Sequence, residues 1–372
     1  MGPLAGTRIV EFAGIGPGPF AAMMLADMGA DILRIERPGK PDPNAACNIL
    51  LRGRRVVTLD LKSEEGKKTA LRLVQAADAL IEGFRPGVME RLGLGPDACF
   101  AANPALVYGR MTGWGQSGPL SQAAGHDLNY IAITGALWAT GEAGQNPVPA
   151  LNLLGDGGGG GMLLAYGIVC GLLRAGKTGK GDVVDAAISD GTAALMAFIY
   201  GYMARNMWEN RRGANFLDGS APYYVVYRCA DKKWIAVGAI EPQFFEELIA
   251  RLDLPKEWQQ RRHDKDNWPE LRSLLEEIFC RRTRDEWSKV FEGTDACIAQ
   301  VLDLEEAADH PHNRARGTYV KVNGLLQPAP APKFRDAEPQ FPNPVSDEGG
   351  SQTDVLANWG LSNREAAALG LV

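Results

Sequence analysis

Thr7-Arg8-Ile9-Val10-Glu11-Phe12-Ala13-Gly14-Ile15-Gly16-Pro17-Gly18-Pro19 is the first legible unit of the chain. Its opening residues read as a buried strand. The glycine–proline turn behind them starts a helix over Phe20–Met28, which Gly29 ends. Asp31–Ile35 is a second strand, finishing at Glu36-Arg37-Pro38. Strand, glycine-rich turn, helix and a strand with a terminal acid is the outline of a dinucleotide fingerprint. The details depart from it. Pro19 takes the third glycine position, Pro17 stiffens the turn where a pyrophosphate needs close approach, and Arg37 puts a cation beside the acid. A tight β–α turn with proline starting a helix fits better, and a nicotinamide enzyme is kept as an alternative.

Outward from this unit, Arg54–Leu61, Ala79–Glu82, Ala105–Arg110 and Val183–Ala187 read as further strands. Helical segments separate them, the first capped by Ser63 with Glu64 and Glu65 in its opening turn. This alternation implies an α/β class with a parallel, doubly wound sheet. Ligands of such sheets sit beyond the carboxyl ends of the strands, which collects Ile15, Arg37, Leu61, Gly83, Arg85 and Arg91 on one rim. Arginine forks there suit a phosphate-rich ligand; solvated surface cations are the alternative.

From Tyr224 the pattern changes. Tyr224–Arg228 and Trp234–Gly238 alternate like a hairpin around Ala230-Asp231-Lys232, and a charged helical stretch follows from Gln243. The expected organisation is a large Rossmann-like domain over 1–200 and 330–372, a crossover linker at 201–224, a small α+β domain at 225–318 and a return linker at 319–329. Prolines between Pro328 and Pro344 mark a strap, and Asn363–Leu369 a terminal helix.

Composition agrees with a two-domain enzyme. A chain of 372 residues exceeds one ordinary core. Its net charge of -6 leaves no excess of cations for displacing phosphate counterions, so no nucleic-acid partner is expected. The six cysteines are scattered without metal-ligand spacing, and no signal-like segment precedes Ile9. Reduced cysteines in a cytoplasmic protein are the expectation. The longest apolar run, Met162–Leu173, falls short of a membrane span, so no membrane partner is expected either.

The chemistry concentrates in Gly125-His126-Asp127-Leu128-Asn129-Tyr130 and in Gly155-Asp156, which leads into the glycine run Gly157–Gly161. Histidine is the natural acid–base group near neutral pH. Asp156 stands at the start of a helix whose free N–H groups and positive dipole end suit a developing oxyanion. Glu241, after the apolar strand end Val237-Gly238-Ala239-Ile240 and before Pro242, is a third candidate, since a carboxylate on the far nitrogen of His126 would fix its tautomer. Structural readings stand beside each: a satisfied loop histidine, a helix cap at Asp156 and an N-cap at Glu241. The histidines are not grouped for a metal, and neither a Gly-x-Ser-x-Gly elbow nor a phosphate-loop lysine is present.

At these residues the chain resembles the family III CoA-transferases, and within them the racemases of 2-methylacyl-CoA thioesters. The landmarks are Pro3-Leu4-x-Gly6 with Val10-Glu11, Ile35-Glu36-Arg37-Pro38, Leu59-Asp60-Leu61-Lys62, Gly83-Phe84-Arg85-Pro86-Gly87, Gly113-x-Gly115-x-x-Gly118-Pro119 and Gly238-Ala239-Ile240-Glu241-Pro242-Gln243-Phe244. The resemblance implies an interlocked homodimer with active sites between the large domain of one subunit and the small domain of the other. It implies that Arg37 holds the adenosine end of CoA, Leu59, Asp60, Leu61, Lys62, Gly83, Phe84 and Arg85 the nucleotide, and Arg91 a phosphate. Gly125, Asp127, Leu128, Asn129 and Tyr130 would meet the pantetheine and thioester.

Transferases of the family use the aspartate matching Asp156 as a nucleophile and lack a histidine matching His126. The racemase reading therefore implies that His126 and Asp156 flank the substrate α-carbon, with Glu241 of the other subunit orienting His126. CoA is then part of the substrate, with no separate cofactor. One departure shows: racemases of the family often carry an aromatic residue after the aspartate, where this chain has Gly157.

Overall fold

The computed structural model describes residues 1–39, 45–337, 341, 352–362 and 364. Apart from Arg364, the expected terminal helix at 363–369 lies outside the described residues, as does part of the expected proline strap. Two compact units are present. The first comprises 1–136, 150–196 and the described residues from 319 on; the second comprises 137–149 and 197–318.

The first unit is the doubly wound sheet. Its elements run β1 (Arg8–Phe12), α1 (Pro17–Asp27), β2 (Asp31–Glu36), β3 (Arg54–Thr58), α2 (Glu64–Gln75), β4 (Ala79–Glu82), α3 (Val88–Arg91), α4 (Pro96–Ala102), β5 (Val107–Thr112) and α5 (Asp127–Ala132). After α6 (Ala136–Ala139) and an excursion into the second unit, the chain continues with a π-helical segment (Leu153–Met162), α7 (Leu163–Thr178), β6 (Asp182–Ala187) and α8 (Ile188–Leu195). All six strands are parallel in the order β3-β2-β1-β4-β5-β6. That order reverses between β1 and β4, which opens a crevice above their carboxyl ends. Ile9, Val10, Ile32, Leu33 and Leu80 are fully buried, as the runs of aliphatic residues require of a sheet covered on both faces. Each such side chain contributes roughly 1.5–3 kcal/mol. Ser63 caps α2 as read, its Oγ accepting the Gly66 N–H at 3.0 Å.

Three charged side chains interrupt those runs and are paired. Glu11 of β1 accepts from Arg34 of β2 at 2.6 Å and from Arg54 of β3 at 3.0 Å, all three buried. Arg54 also donates to the Pro19 carbonyl at 2.5 Å and Arg34 to the Gly14 carbonyl at 3.4 Å. The pairing thus ties down both ends of the Gly14–Pro19 loop. Removing one partner of such a buried pair costs about 3–5 kcal/mol.

The glycine run departs from its reading. Gly157–Gly161 lie inside a helix that starts at Leu153, so they do not present a free N-terminus. The Gly157 N–H donates to the Asn152 carbonyl at 3.1 Å, a π-helical bond, and the later amides lie past the first turn, where helical bonding consumes them. The glycines serve packing instead. A methyl at Gly159 would lie 2.6 Å from the Thr192 nitrogen of α8, and one at Gly161 2.8 Å from the Pro17 carbonyl of α1. Leu153–Thr178 is also one helix of 26 residues, long and apolar enough to cross a bilayer by length and composition, unlike the shorter run read from sequence.

The second unit contains α9 (Ala197–Ala204), β7 (Tyr224–Arg228), β8 (Trp234–Gly238), α10 (Pro242–Arg251), α11 (Trp258–Arg261), α12 (Trp268–Phe279), α13 (Arg284–Val290), β9 (Ile298–Val301), α14 (Leu304–Asp309) and α15 (Pro311–Arg316). The expected hairpin pairs Tyr224 with Gly238 and Arg228 with Trp234, and β9 adds a third antiparallel strand. Phe245, Leu248, Leu271, Leu275 and Phe279 form its core with Tyr227 and Ile235. The expected linker at 201–224 is built structure. Tyr202, Trp208 and Phe216 pack edge and face, and the Asn215 amide donates to the Glu209 and Arg211 carbonyls. The unit also takes in 137–149, where Arg212 lies 4.5 Å over Trp138 and donates to the Gln145 carbonyl.

The expected return linker at 319–329 is a hairpin of the first unit, β10 (Tyr319–Val322) with β11 (Leu325–Pro328). Arg52 fastens it, donating to Gln327 Oε1 at 3.0 Å and to the Pro328 carbonyl at 2.8 Å. The last described helix is α16 (Gln352–Asn358), which buries Val355 and Leu356 in the core of the first unit.

Candidate active site

A cavity of about 470 Å³ lies at the reversal point of the sheet. Its walls come from the loops that leave β1, β4 and β5 at their carboxyl ends, together with α5 and the π-helix. Of the residues expected at the site, Ile15, Gly83, Phe84, Arg85, Gly125, His126, Tyr130 and Asp156 line it.

His126 takes the N-cap position of α5 and is held through its main chain. Its N–H donates to Asn129 Oδ1 at 3.0 Å, and its carbonyl accepts the Asn129 N–H at 2.8 Å. Tyr130, one turn on, donates its hydroxyl to the Gly125 carbonyl and meets Trp114 edge to face at 4.8 Å. Two glycines make room for that ring: a methyl at Gly125 would lie 2.7 Å from it, and one at Gly113 2.6 Å from its hydroxyl. Asp156 reaches the cavity from the first turn of the π-helix, near Gly16, whose φ of 67° a side chain would rarely adopt. Burial pushes the Asp156 carboxyl above its ordinary range and the Asp127 charge adds to that, against the Asn152 hydrogen bond and His126. Tyr130 is likewise raised, by burial and then by Asp156, with Arg85 opposing. A histidine and a carboxyl that exchange charge effects across one cavity can hold and move protons there.

The remaining expected residues are placed differently. Asp127 is 7% exposed and turns away from the cavity: its Oδ2 accepts the Asp156 N–H at 2.7 Å. Leu59 is buried in the core and Leu61 packs against it, so neither leucine side chain is free for a ligand. Asp60 Oδ1 accepts the Lys62 N–H at 2.9 Å in the turn before α2. Arg37, Asp60, Lys62, Arg91, Leu128 and Asn129 are exposed outside the cavity lining. Glu241 lies in the second unit as the N-cap residue of α10, exposed, with no capping bond from its carboxylate. Beneath its loop Arg262 is buried between Tyr223 and Phe245, at 4.9 and 4.4 Å, and donates to the Ala239 carbonyl at 3.1 Å.

Sequence reading missed Trp114 and Glu82, although both follow the carboxyl-end rule. Glu82 closes β4, is 3% exposed, accepts the Phe84 N–H at 2.7 Å and lies 3.4 Å from Arg110. Burial pushes its carboxyl up to about 7, with Phe84 and Arg110 opposing and Glu90 and Asp185 adding to the rise. Its ordinary value is 4.5, so between 4.5 and about 7 the folded chain binds the extra proton. Stability from this group is therefore full below pH 4.5 and is lost as the pH rises through about 7. We expect the parent chain to lose stability relative to Glu82→Gln across that window, read from urea midpoints at stepped pH. Midpoints that stay a constant distance apart would contradict it.

The family profile described as CoA-transferase family III matches residues 4–347. The chain belongs to that family. Among family members, it is 42% identical to the alpha-methylacyl-CoA racemase of Mus musculus over 98% of this chain and 96% of that one. It is also 42% identical to the alpha-methylacyl-CoA racemase of Homo sapiens, covering 97% and 94%. A crystal structure of a CAIB/BAIF family protein from Brucella suis superposes with a TM-score of 0.80 at 25% identity, covering 96% of this chain and 99% of that one. The nicotinamide alternative is set aside with this membership.

Proposed function

We propose that the protein racemises 2-methylacyl-CoA thioesters by removing the α-proton and returning one to the opposite face. The observation that carries this is His126 and Asp156 on one cavity at the sheet's reversal point, with burial and the Asp127 charge holding the Asp156 carboxyl above its ordinary range. Either group takes the α-proton, leaving an enolate, and the other delivers its own proton to the far face. The exchange balances, and each enantiomer uses the pair in the opposite sense. The full-length likeness to two mammalian racemases supports the same reading.

CoA binds along the rim, with Arg85 in the cavity wall and Arg37 and Arg91 beyond it, and no cofactor other than the CoA of the substrate takes part. Glu241 orients His126 from a second copy of the chain in an interlocked homodimer. Supporting that assembly, α9 (Ala-Phe-Ile-Tyr-Gly-Tyr-Met-Ala) has no buried residue in the single chain, and Phe198 is 76% exposed. Sedimentation equilibrium at twice the 40.1 kDa chain mass is the check. The cytoplasm is the proposed location, and neither membrane nor nucleic acid the proposed partner.

In heavy water a chiral 2-methylacyl-CoA should take up deuterium at the α-carbon while losing optical activity. The assay runs across short, branched and sterol-derived acyl chains. Retained configuration without exchange would overturn the proposal. A CoA thioester trapped on Asp156 during turnover would favour CoA transfer between carboxylic acids, the second reading that family membership supports.

A further inference from the structure

We propose that the buried Asp127 carboxylate is a positioning residue for Asp156: it fixes the Asp156 main chain through one oxygen and holds an uncompensated negative charge beside the Asp156 carboxyl. The inference rests on the reading of Asp156 as a proton-transfer group.

Its geometry stands alone. Asp127 is the first residue of α5 and adjoins His126, yet its side chain is 93% removed from solvent, being 7% exposed. Oδ2 accepts the Asp156 N–H at 2.7 Å, and Oδ1, equally buried, has no hydrogen-bond partner. No arginine or lysine pairs with it among the described residues. Gly155 keeps the space open, since a methyl there would lie 2.7 Å from Asp127 Cγ and closer to Oδ2. Burying a half-satisfied carboxylate is costly, because its lost hydration is not replaced. An asparagine would accept the same N–H without that cost, so the hydrogen bond alone does not account for an acid here.

The charge does. Groups facing Asp156 are His126 and Tyr130 around α5, Asn152 at the start of its own helix, and Asp127. Asp127 is the one among them that holds the Asp156 proton more tightly by charge, while Asn152 and His126 act the other way. A racemase must run both directions through the same pair, which works best when the two groups have similar proton affinities. An ordinary carboxyl is too acidic a partner for imidazole. Asp127 narrows that gap.

The test is Asp127→Asn, which keeps the acceptor and removes the charge, with Asp127→Ser as a smaller neutral variant should the first not fold. Two readouts apply. In carboxyl ¹³C NMR of aspartate-labelled chain, with Asp156→Asn identifying the resonance, Asp156 should titrate at lower pH than in the parent. In the deuterium-exchange assay kcat should fall roughly three- to tenfold, with KM unchanged and the acid limb of the kcat profile moved to lower pH. An unmoved Asp156 titration overturns the proposal whether or not the chain is active. If the parent shows no exchange, the racemase reading fails, and the NMR titration still decides the role of Asp127.

Discussion

His126→Ala should lower the rate of racemisation of a 2-methylacyl-CoA by roughly 10²- to 10⁴-fold, the usual contribution of a positioned acid–base group. The main chain at 126 is fixed by Asn129 on both its N–H and its carbonyl, so deleting the ring removes chemistry and little structure. Asp156 remains on the cavity in that variant. Deuterium that still enters should then do so with retained configuration, because only one face of the enolate keeps a proton donor. Polarimetry and mass spectrometry on the same samples separate the two events. Racemisation within a few-fold of the parent would remove His126 from its role, and thiol-free CoA analogues should bind the variant as they bind the parent.

Gly191→Ala should cost about 3 kcal/mol of stability, at the upper end of what overpacking a core usually costs. The added methyl would lie 2.7 Å from the carbonyl carbon of Gly159 and nearer its oxygen, with 3.0 Å to the Gly159 Cα. All three atoms are backbone, so no side chain can swing aside. The strain falls where α8 meets the π-helix that carries Asp156, and activity should fall with stability. Gly157→Ala is the contrast within the same helix. A methyl there meets only the Asn152 carbonyl at 3.6 Å, ordinary contact, so helix propensity should make that change neutral or stabilising by up to about 1 kcal/mol. Urea midpoints of the two variants moving together would refute this account of the glycine run.

The Gly157 result bears on the one departure from the family seen in the sequence. A Cβ at that position would meet only the Asn152 carbonyl, at 3.6 Å. The helix start is closed there by the bond from the Gly157 N–H to the Asn152 carbonyl.

The amino-acid sequence by itself determined the parallel sheet, the hairpin of the second unit and the cap at Ser63. These follow from local patterns: strand-length apolar runs, alternation across a two-sided hairpin, and an oxygen side chain ahead of a helix. It also singled out His126 and Asp156 by residue type and position, and both line the cavity.

Only the tertiary structure decided what each neighbour does. Asp127 reads as a ligand contact beside His126, but the turn of α5 points it inward to the Asp156 amide. Gly157–Gly161 read as an oxyanion site, but the helix begins upstream at Leu153 and spends their amides internally. Glu82 reads as a strand end, and only its burial, outweighing the Phe84 N–H and Arg110, pushes its carboxyl up to about 7. The physical reason is common to all three. Strand and helix signals are written in the spacing of neighbours along the chain, whereas the side a carboxylate faces, and whether an amide is already bonded, depend on segments far apart in sequence that meet only when the sheet is wound.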